Sequence, residues 1–202
     1  MIAIVDYGAG NLASVRKAFG AVSADTRVVR EVSDLGSPSA IVVPGVGHFG
    51  ATSALGSEWR QAIARHAAAG RPLLGICLGM QWLFEASDEA PGCAGLGLLA
   101  GRCSRLGSCA GGERLKVPHV GWNQFEQIRA SAALDGIPNG VHAYFTHSFA
   151  VPVCDDTVAV TTHGQPFSAV VERAAVWGIQ FHPEKSGDVG LGILRNFVSV
   201  ET

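Results

Sequence analysis

Gly75-Ile76-Cys77-Leu78-Gly79 sets a nucleophile between two glycines, directly after an apolar run and directly before a helical stretch. A thiol so placed reads as a nucleophile elbow. The turn forces the backbone of Cys77 into a strained conformation, and the glycines let neighbouring chain pass close by. At a helix start the thiol pKa falls, and free N–H groups are at hand to hold an oxyanion. An ordinary buried cysteine would carry the same local sequence, since free Cys is among the most buried residue types. The elbow therefore needs companions.

A thiol nucleophile requires a base, and the base an orienting group. Gln180-Phe181-His182-Pro183-Glu184 supplies both. On an extended segment, side chains two apart project to the same side, so Glu184 reaches His182. Pro183 fixes the backbone between them and removes a competing donor. A carboxylate there holds the imidazole tautomer and stabilises its cation. The other six histidines (His48, His66, His119, His142, His147, His163) have no such neighbour at the end of an apolar strand. His48 lies in the third element, Pro44-Gly45-Val46-Gly47-His48-Phe49-Gly50, and ranks below His182 for want of a carboxylate. The glycines of that segment permit unusual peptide orientations. An N–H of Val46 or Gly47 could therefore join that of Leu78 in an oxyanion hole.

Gly8-Ala9-Gly10-Asn11-Leu12-Ala13 has the outline of a dinucleotide fingerprint. Asp6 stands just before the glycines, where an anionic pyrophosphate would meet a carboxylate, and this argues against a nucleotide there.

These residues must be positioned by the elements around them. Ile2–Val5, Thr26–Val29, Ala40–Val43 and 72–76 are short apolar strands, alternating with helical periodicity over 11–22, 54–69 and from Cys77 to about Glu85. Continuous apolar runs mean strands covered on both faces, and their separation by helices predicts a parallel sheet. In an open sheet of that kind ligands sit at the carboxyl ends of the strands. The segments after Val5, Val43 and Ile76 thus converge on one edge. From Gly92 to about Val171 the pattern changes to short β-rich runs (96–99, 141–151, 157–162, 169–171) among glycines and prolines, which predicts hairpins or an antiparallel extension. The segment 108–113 reads as an exposed loop. A last apolar strand is expected over 174–181 and a closing helix over 189–200. The expectation is one α/β domain over 1–202, an open, mostly parallel, doubly wound (flavodoxin-like) sheet with an antiparallel extension.

Composition removes several classes of function. Of 202 residues, 48% are hydrophobic and 16% charged, enough for a sizeable core and against disorder. A net charge of −2 leaves no basic field for nucleic acid or anionic lipid. The five cysteines are an odd number with no C-x-x-C pair, which argues against a disulfide framework or a structural zinc site. Met1–Asp6 lacks the positive region of a signal peptide, and no apolar run is long enough to span a bilayer, so a cytoplasmic location is expected.

The elbow and the His182-Pro183-Glu184 segment, taken together, resemble the class I (triad) glutamine amidotransferases. Within them, Ile4 to Leu12, Pro44 to Gly50 and Pro118-His119-Val120-Gly121-Trp122-Asn123 resemble the glutaminase subunits of imidazole glycerol phosphate synthases, over essentially the whole chain. The resemblance implies Cys77 as nucleophile, His182 as general acid and base, and Glu184 as its orienting partner. It implies that Gln81 and Glu89 bind the head group and α-amino group of L-glutamine, with main-chain contacts from Ser148. Phe149 stands where the family often has tyrosine. It also implies no metal or cofactor, and a heterodimer with a (β/α)8-barrel cyclase that receives the ammonia, with Asn11, Trp122, Tyr144 and Lys185 facing that partner. Other readings are a glutaminase of the pyridoxal phosphate, anthranilate or purine pathways, a cysteine peptidase or esterase, or a non-catalytic flavodoxin-like module.

Overall fold

The computed structural model describes residues 1–200. Its first half alternates β1 (Ile2–Val5), α1 (Leu12–Ala21), β2 (Thr26–Val29), β3 (Ala40–Val43), α2 (Ser57–Ala68), β4 (Leu73–Ile76) and α3 (Leu78–Leu83). Two short strands follow, β5 (Ala86–Ser87) and β6 (Arg102–Arg105), and then a small hairpin of β7 (Cys109–Ala110) and β8 (Glu113–Arg114). Next come β9 (His119–Gln124), β10 (Glu126–Gln127), β11 (His142–His147), β12 (Phe149–Ala150), β13 (Thr157–His163), β14 (Gln165–Arg173) and β15 (Val176–Ile179). The helix α4 (Gly187–Ser199) closes the chain.

The main sheet has the order β10-β13-β14-β15-β4-β3-β1-β2. Pairings from β15 through β4, β3 and β1 to β2 are parallel, whereas β10, β13 and β14 join antiparallel. The doubly wound sheet and its antiparallel extension are therefore both present.

Strand periodicity explains why the parallel strands read as unbroken apolar runs. Ile2, Ile4, Val42, Leu74 and Ile76 face one layer, where they pack with Val15 and Phe19 of α1 and with Ile193 and Phe197 of α4. Their neighbours Ala3, Val5, Ile41, Val43 and Leu73 face the other, against Trp59 and Ile63 of α2 and Leu78 and Trp82 of α3. Both faces are dry, so each strand residue is apolar whichever way it points. Phe197 fixes α4 through edge contacts with Phe19 and Trp177, at centroid separations of 6.4 and 5.5 Å.

Three segments differ from expectation. Residues 96–99 form no strand, because Leu96, Gly97 and Leu99 donate their N–H groups to the carbonyls of Trp82, Phe84 and Leu83 at the end of α3. Capping that helix leaves no donors for a ladder. The segment read as a loop around 108–113 carries the β7–β8 hairpin, closed by Gly111 and Gly112 at positive φ. A separate 3₁₀ turn, Phe49–Ala54, precedes α2, whose helix starts only at Ser57.

Candidate active site

The parallel strands bring three tips to one edge. Cys77 follows β4, Pro44 to Gly47 follow β3, and Gln180 to His182 follow β15. The Cys77 N–H donates to the Ile179 carbonyl at 2.7 Å, locking the elbow to the neighbouring tip. The Cys77 backbone has φ 52° and ψ −107°, a region that residues with a Cβ avoid. Such strain persists only where the surrounding structure over-determines it. Here the dry strand β4 and the fully buried helix α3 grip the residue from both sides.

His182 Nδ1 donates to Glu184 Oε1 at 2.8 Å, with both side chains 2% exposed. The pair forms as expected, but through a tight turn. Pro183–Lys185 is one turn of 3₁₀ helix, which curls the carboxylate back under the ring instead of leaving it two places along an extended strand. Burial opposes a charge on His182. Interaction with the neighbouring Cys77 sulfur and the hydrogen-bonded Glu184 carboxylate outweighs it and raises the imidazole pKa to about 9. Its Nε2 has no well-aligned hydrogen bond within the chain.

This geometry has a consequence for stability. In the unfolded chain His182 titrates near 6.5, in the fold at about 9, so its contribution is complete below 6.5 and declines as pH rises through 9. His147 is lowered to about 3, chiefly by burial, and His119 to about 4 for the same reason. Their contribution is complete above 6.5 and declines on acidification. The thermal midpoint is expected to peak near pH 6.5, and His182→Gln to flatten only the alkaline limb. A midpoint that climbs from pH 7 to pH 9 in the parent chain would contradict this assignment.

A cavity of about 30 Å³ adjoins the thiol, lined by Gly47, Cys77, Leu78, Gln81, Glu89 and the Thr146–Phe149 segment. It is one water's share of volume. On its rim Glu89 Oε2 accepts the Phe49 N–H at 2.7 Å, clasping the 44–50 segment to the opposite wall.

Of the backbone donors expected for an oxyanion, Leu78 and Gly47 line the cavity, and Val46 does not. The Leu78 N–H is engaged by the Gly45 carbonyl at 3.4 Å. Gly45 itself can sit there only for lack of a side chain. A Cβ on it would lie 2.2 Å from the buried Tyr7 hydroxyl and 2.8 Å from Leu78 Cβ.

Gln81 is held by donation to the Phe149 carbonyl at 2.7 Å and to Gln180 Oε1 at 3.0 Å. Gln180, wholly buried, donates in turn to Cys77 Sγ at 3.7 Å. Gln180 escaped the sequence reading, although strand alternation from His182 places it on the same side. His147, which borders the cavity, was passed over for want of a carboxylate neighbour. His48 accepts the Gly50 N–H at 2.9 Å and serves its own turn. At Gly8 the donor is taken by Asp6, which also pairs with Arg30, so the lookalike fingerprint has no free N–H there for a phosphate.

Of the residues expected at a partner surface, Trp122 is 57% exposed and meets Tyr144 edge-on, and the Lys185 ammonium lies over the Tyr144 ring at 5.5 Å. Asn11 caps α1 by accepting the Ser14 N–H.

A thiol on a strained strand-to-helix turn, beside a buried imidazole–carboxylate pair, is the equipment of a cysteine-dependent acyl-transfer hydrolase. The family model "Glutamine amidotransferase class-I" matches residues 3–200. The chain is 43% identical to the imidazole glycerol phosphate synthase subunit HisH of Methanothermobacter thermautotrophicus, covering 99% of this chain and 98% of that one. It is 44% identical to the subunit of the same name from Xanthomonas euvesicatoria, covering 98% and 97%. Among solved structures, "PurLQS from Thermotoga maritima" superposes with a TM-score of 0.78 at 18% identity, over 100% of this chain and 98% of that one, and shares the fold. The chain belongs to the class I glutamine amidotransferase family, in the branch of the imidazole glycerol phosphate synthase HisH subunits.

Proposed function

We propose that this chain, as one domain, hydrolyses L-glutamine with Cys77, His182 and Glu184, and passes the ammonia to a (β/α)8-barrel cyclase in a cytoplasmic heterodimer. The Cys77 thiol passes its proton to His182 as its sulfur attacks the side-chain amide carbon, and the electrons move onto the carbonyl oxygen. Collapse of that oxyanion breaks the C–N bond, and His182, now protonated, gives its proton to the departing ammonia. The neutral ring then takes a proton from water, the hydroxide opens the thioester to glutamate, and the ring returns its proton to the departing sulfur, restoring the thiol. Glu184 holds Nδ1, so that Nε2 faces the reaction. Gln81 meets the amide, Glu89 the α-amino group, and the main chain of Ser148 the remainder of the substrate. The observation that carries this reading is the buried His182–Glu184 pair set against a thiol whose backbone is strained.

Leu78 already has an acceptor in the Gly45 carbonyl. A competent oxyanion hole needs that peptide to turn over, exposing the Leu78 N–H and presenting the N–H of Val46. A partner that binds beside the 44–50 segment supplies the energy for this, and a glutaminase idle without its partner wastes no glutamine. Exposed Trp122 and Lys185, with the half-buried Tyr144 that both meet, offer the aromatic and cationic anchors from which such interfaces are built.

The test is to mix the chain with the cyclase and follow glutamate release with and without a phosphoribulosyl-formimino aminoimidazole carboxamide ribotide. Release should depend on both. Trp122→Ala is expected to weaken the complex by about 2 kcal/mol, or roughly 30-fold in Kd, by titration calorimetry. Equal turnover by the chain alone would refute the gating, and an unchanged Kd would remove Trp122 from the interface.

A further inference from the structure

A directional line of hydrogen bonds runs from the outer strand β9 to the cavity. Asn123 Oδ1 accepts the Gln124 N–H at 2.8 Å, and its Nδ2 donates to the Thr162 carbonyl at 3.0 Å, which settles which end of the amide is nitrogen. The second Nδ2 hydrogen points to His119 Nε2, 3.2 Å away. That nitrogen must then be the acceptor, so the His119 proton sits on Nδ1. His119 and His147 are direct cross-strand partners on β9 and β11, and His119 Nδ1 lies 3.2 Å from His147 Nε2. His147 consequently accepts at Nε2 and carries its own proton on Nδ1, which donates to the Phe149 carbonyl at 2.9 Å. The same carbonyl receives Gln81, and through Gln180 the line ends on Cys77 Sγ.

Both histidines are buried and both are neutral near pH 7, as the directional sequence requires. Phe145 and Phe167 flank them, and the His163 ring stacks on His119 at 4.3 Å. A pair of neutral imidazoles wedged between aromatic rings has little freedom to turn. Strand alternation puts His119 and Asn123 on the inner side of β9 and the exposed Val120 and Trp122 on the outer side.

The geometry points to His119 and His147 as positioning residues that hold the Phe149 carbonyl, and through it Gln81, in the orientation that grips the side-chain amide of glutamine. This rests on the assignment of the cavity as the glutamine site. The histidines touch neither the substrate amide nor the sulfur. They act through the carbonyl, so their loss should weaken substrate capture more than the chemical step.

Two measurements test this. Nitrogen-15 histidine spectra of the full chain should show His119 and His147 both as the Nδ1–H tautomer, although free imidazole side chains favour Nε2–H. In the complex with the cyclase, His147→Phe and His119→Phe should each raise the KM for glutamine about tenfold while kcat changes less than about threefold. His147→Asn, whose amide nitrogen falls close to the place of Nδ1, should recover most of the loss. An Nε2–H tautomer at either ring, or a KM unmoved in His147→Phe, overturns the relay. Cys77→Ala, assayed alongside, tests the site itself: if it hydrolyses glutamine normally, the cavity assignment fails, whatever the histidine variants do.

Discussion

Cys77→Ala and Cys77→Gly are both expected to lose glutamine hydrolysis by at least about 10³-fold in the assembled enzyme, while separating clearly in stability. The activity loss follows from removing the sulfur proposed to attack. The stability difference follows from the backbone. At φ 52° and ψ −107° alanine inherits the strain that cysteine bears, whereas glycine occupies the region freely. Relief of about 1–2 kcal/mol should raise the midpoint of the glycine variant over the alanine variant by about 3–6 °C. An ordinary buried cysteine predicts the reverse, since glycine would only add chain entropy to unfolding. His182→Ala added to Cys77→Ala should cost almost nothing further in rate, because nucleophile and base act as a unit. Glutamate release and thermal unfolding of the three variants decide the matter. Turnover without the sulfur within about tenfold of the parent, or a glycine variant no more stable than alanine, removes the elbow from the mechanism.

The parallel half of the fold was legible because its strands are short, dry on both faces and separated by periodic helices. The bounds 2–5, 26–29 and 40–43 emerge from sequence unaltered. The site was legible for the same reason: strand tips in a doubly wound sheet meet at one edge whatever their distance along the chain. The second half was harder, because its ladders depend on register. No spacing in the sequence says that His119 faces His147, and without that pairing His147 is one more histidine without a carboxylate. Residues 96–99 misled because β-branched and leucine-rich runs look alike whether their N–H groups build a ladder or cap a helix. The engaged Leu78 N–H was invisible for a related reason, since a glycine-rich segment announces that peptides can turn and not which way they rest.

Gly79→Ala should be among the most damaging single-methyl additions to the chain. A Cβ on Gly79 would lie 1.7 Å from the Val43 carbonyl oxygen and 2.7 Å from its carbon. Both obstacles are backbone at the tip of β3, so no side-chain rotation makes room. Either α3 lifts from the sheet or the tip of β3 shifts, and each disturbs Cys77 and the 44–50 segment together. The cost is on the order of 3–4 kcal/mol, at the upper end for overpacking a core. Gly20→Ala is the control, because a Cβ there meets nothing within 4 Å and the residue lies inside α1. Helix propensity alone should make that variant more stable by about 0.5–1 kcal/mol. Urea unfolding of the two variants compares a methyl that the elbow forbids with one that a helix welcomes. Equal midpoints would mean that α3 is free to move away from β3, and then the strain at Cys77 would have nothing to hold it.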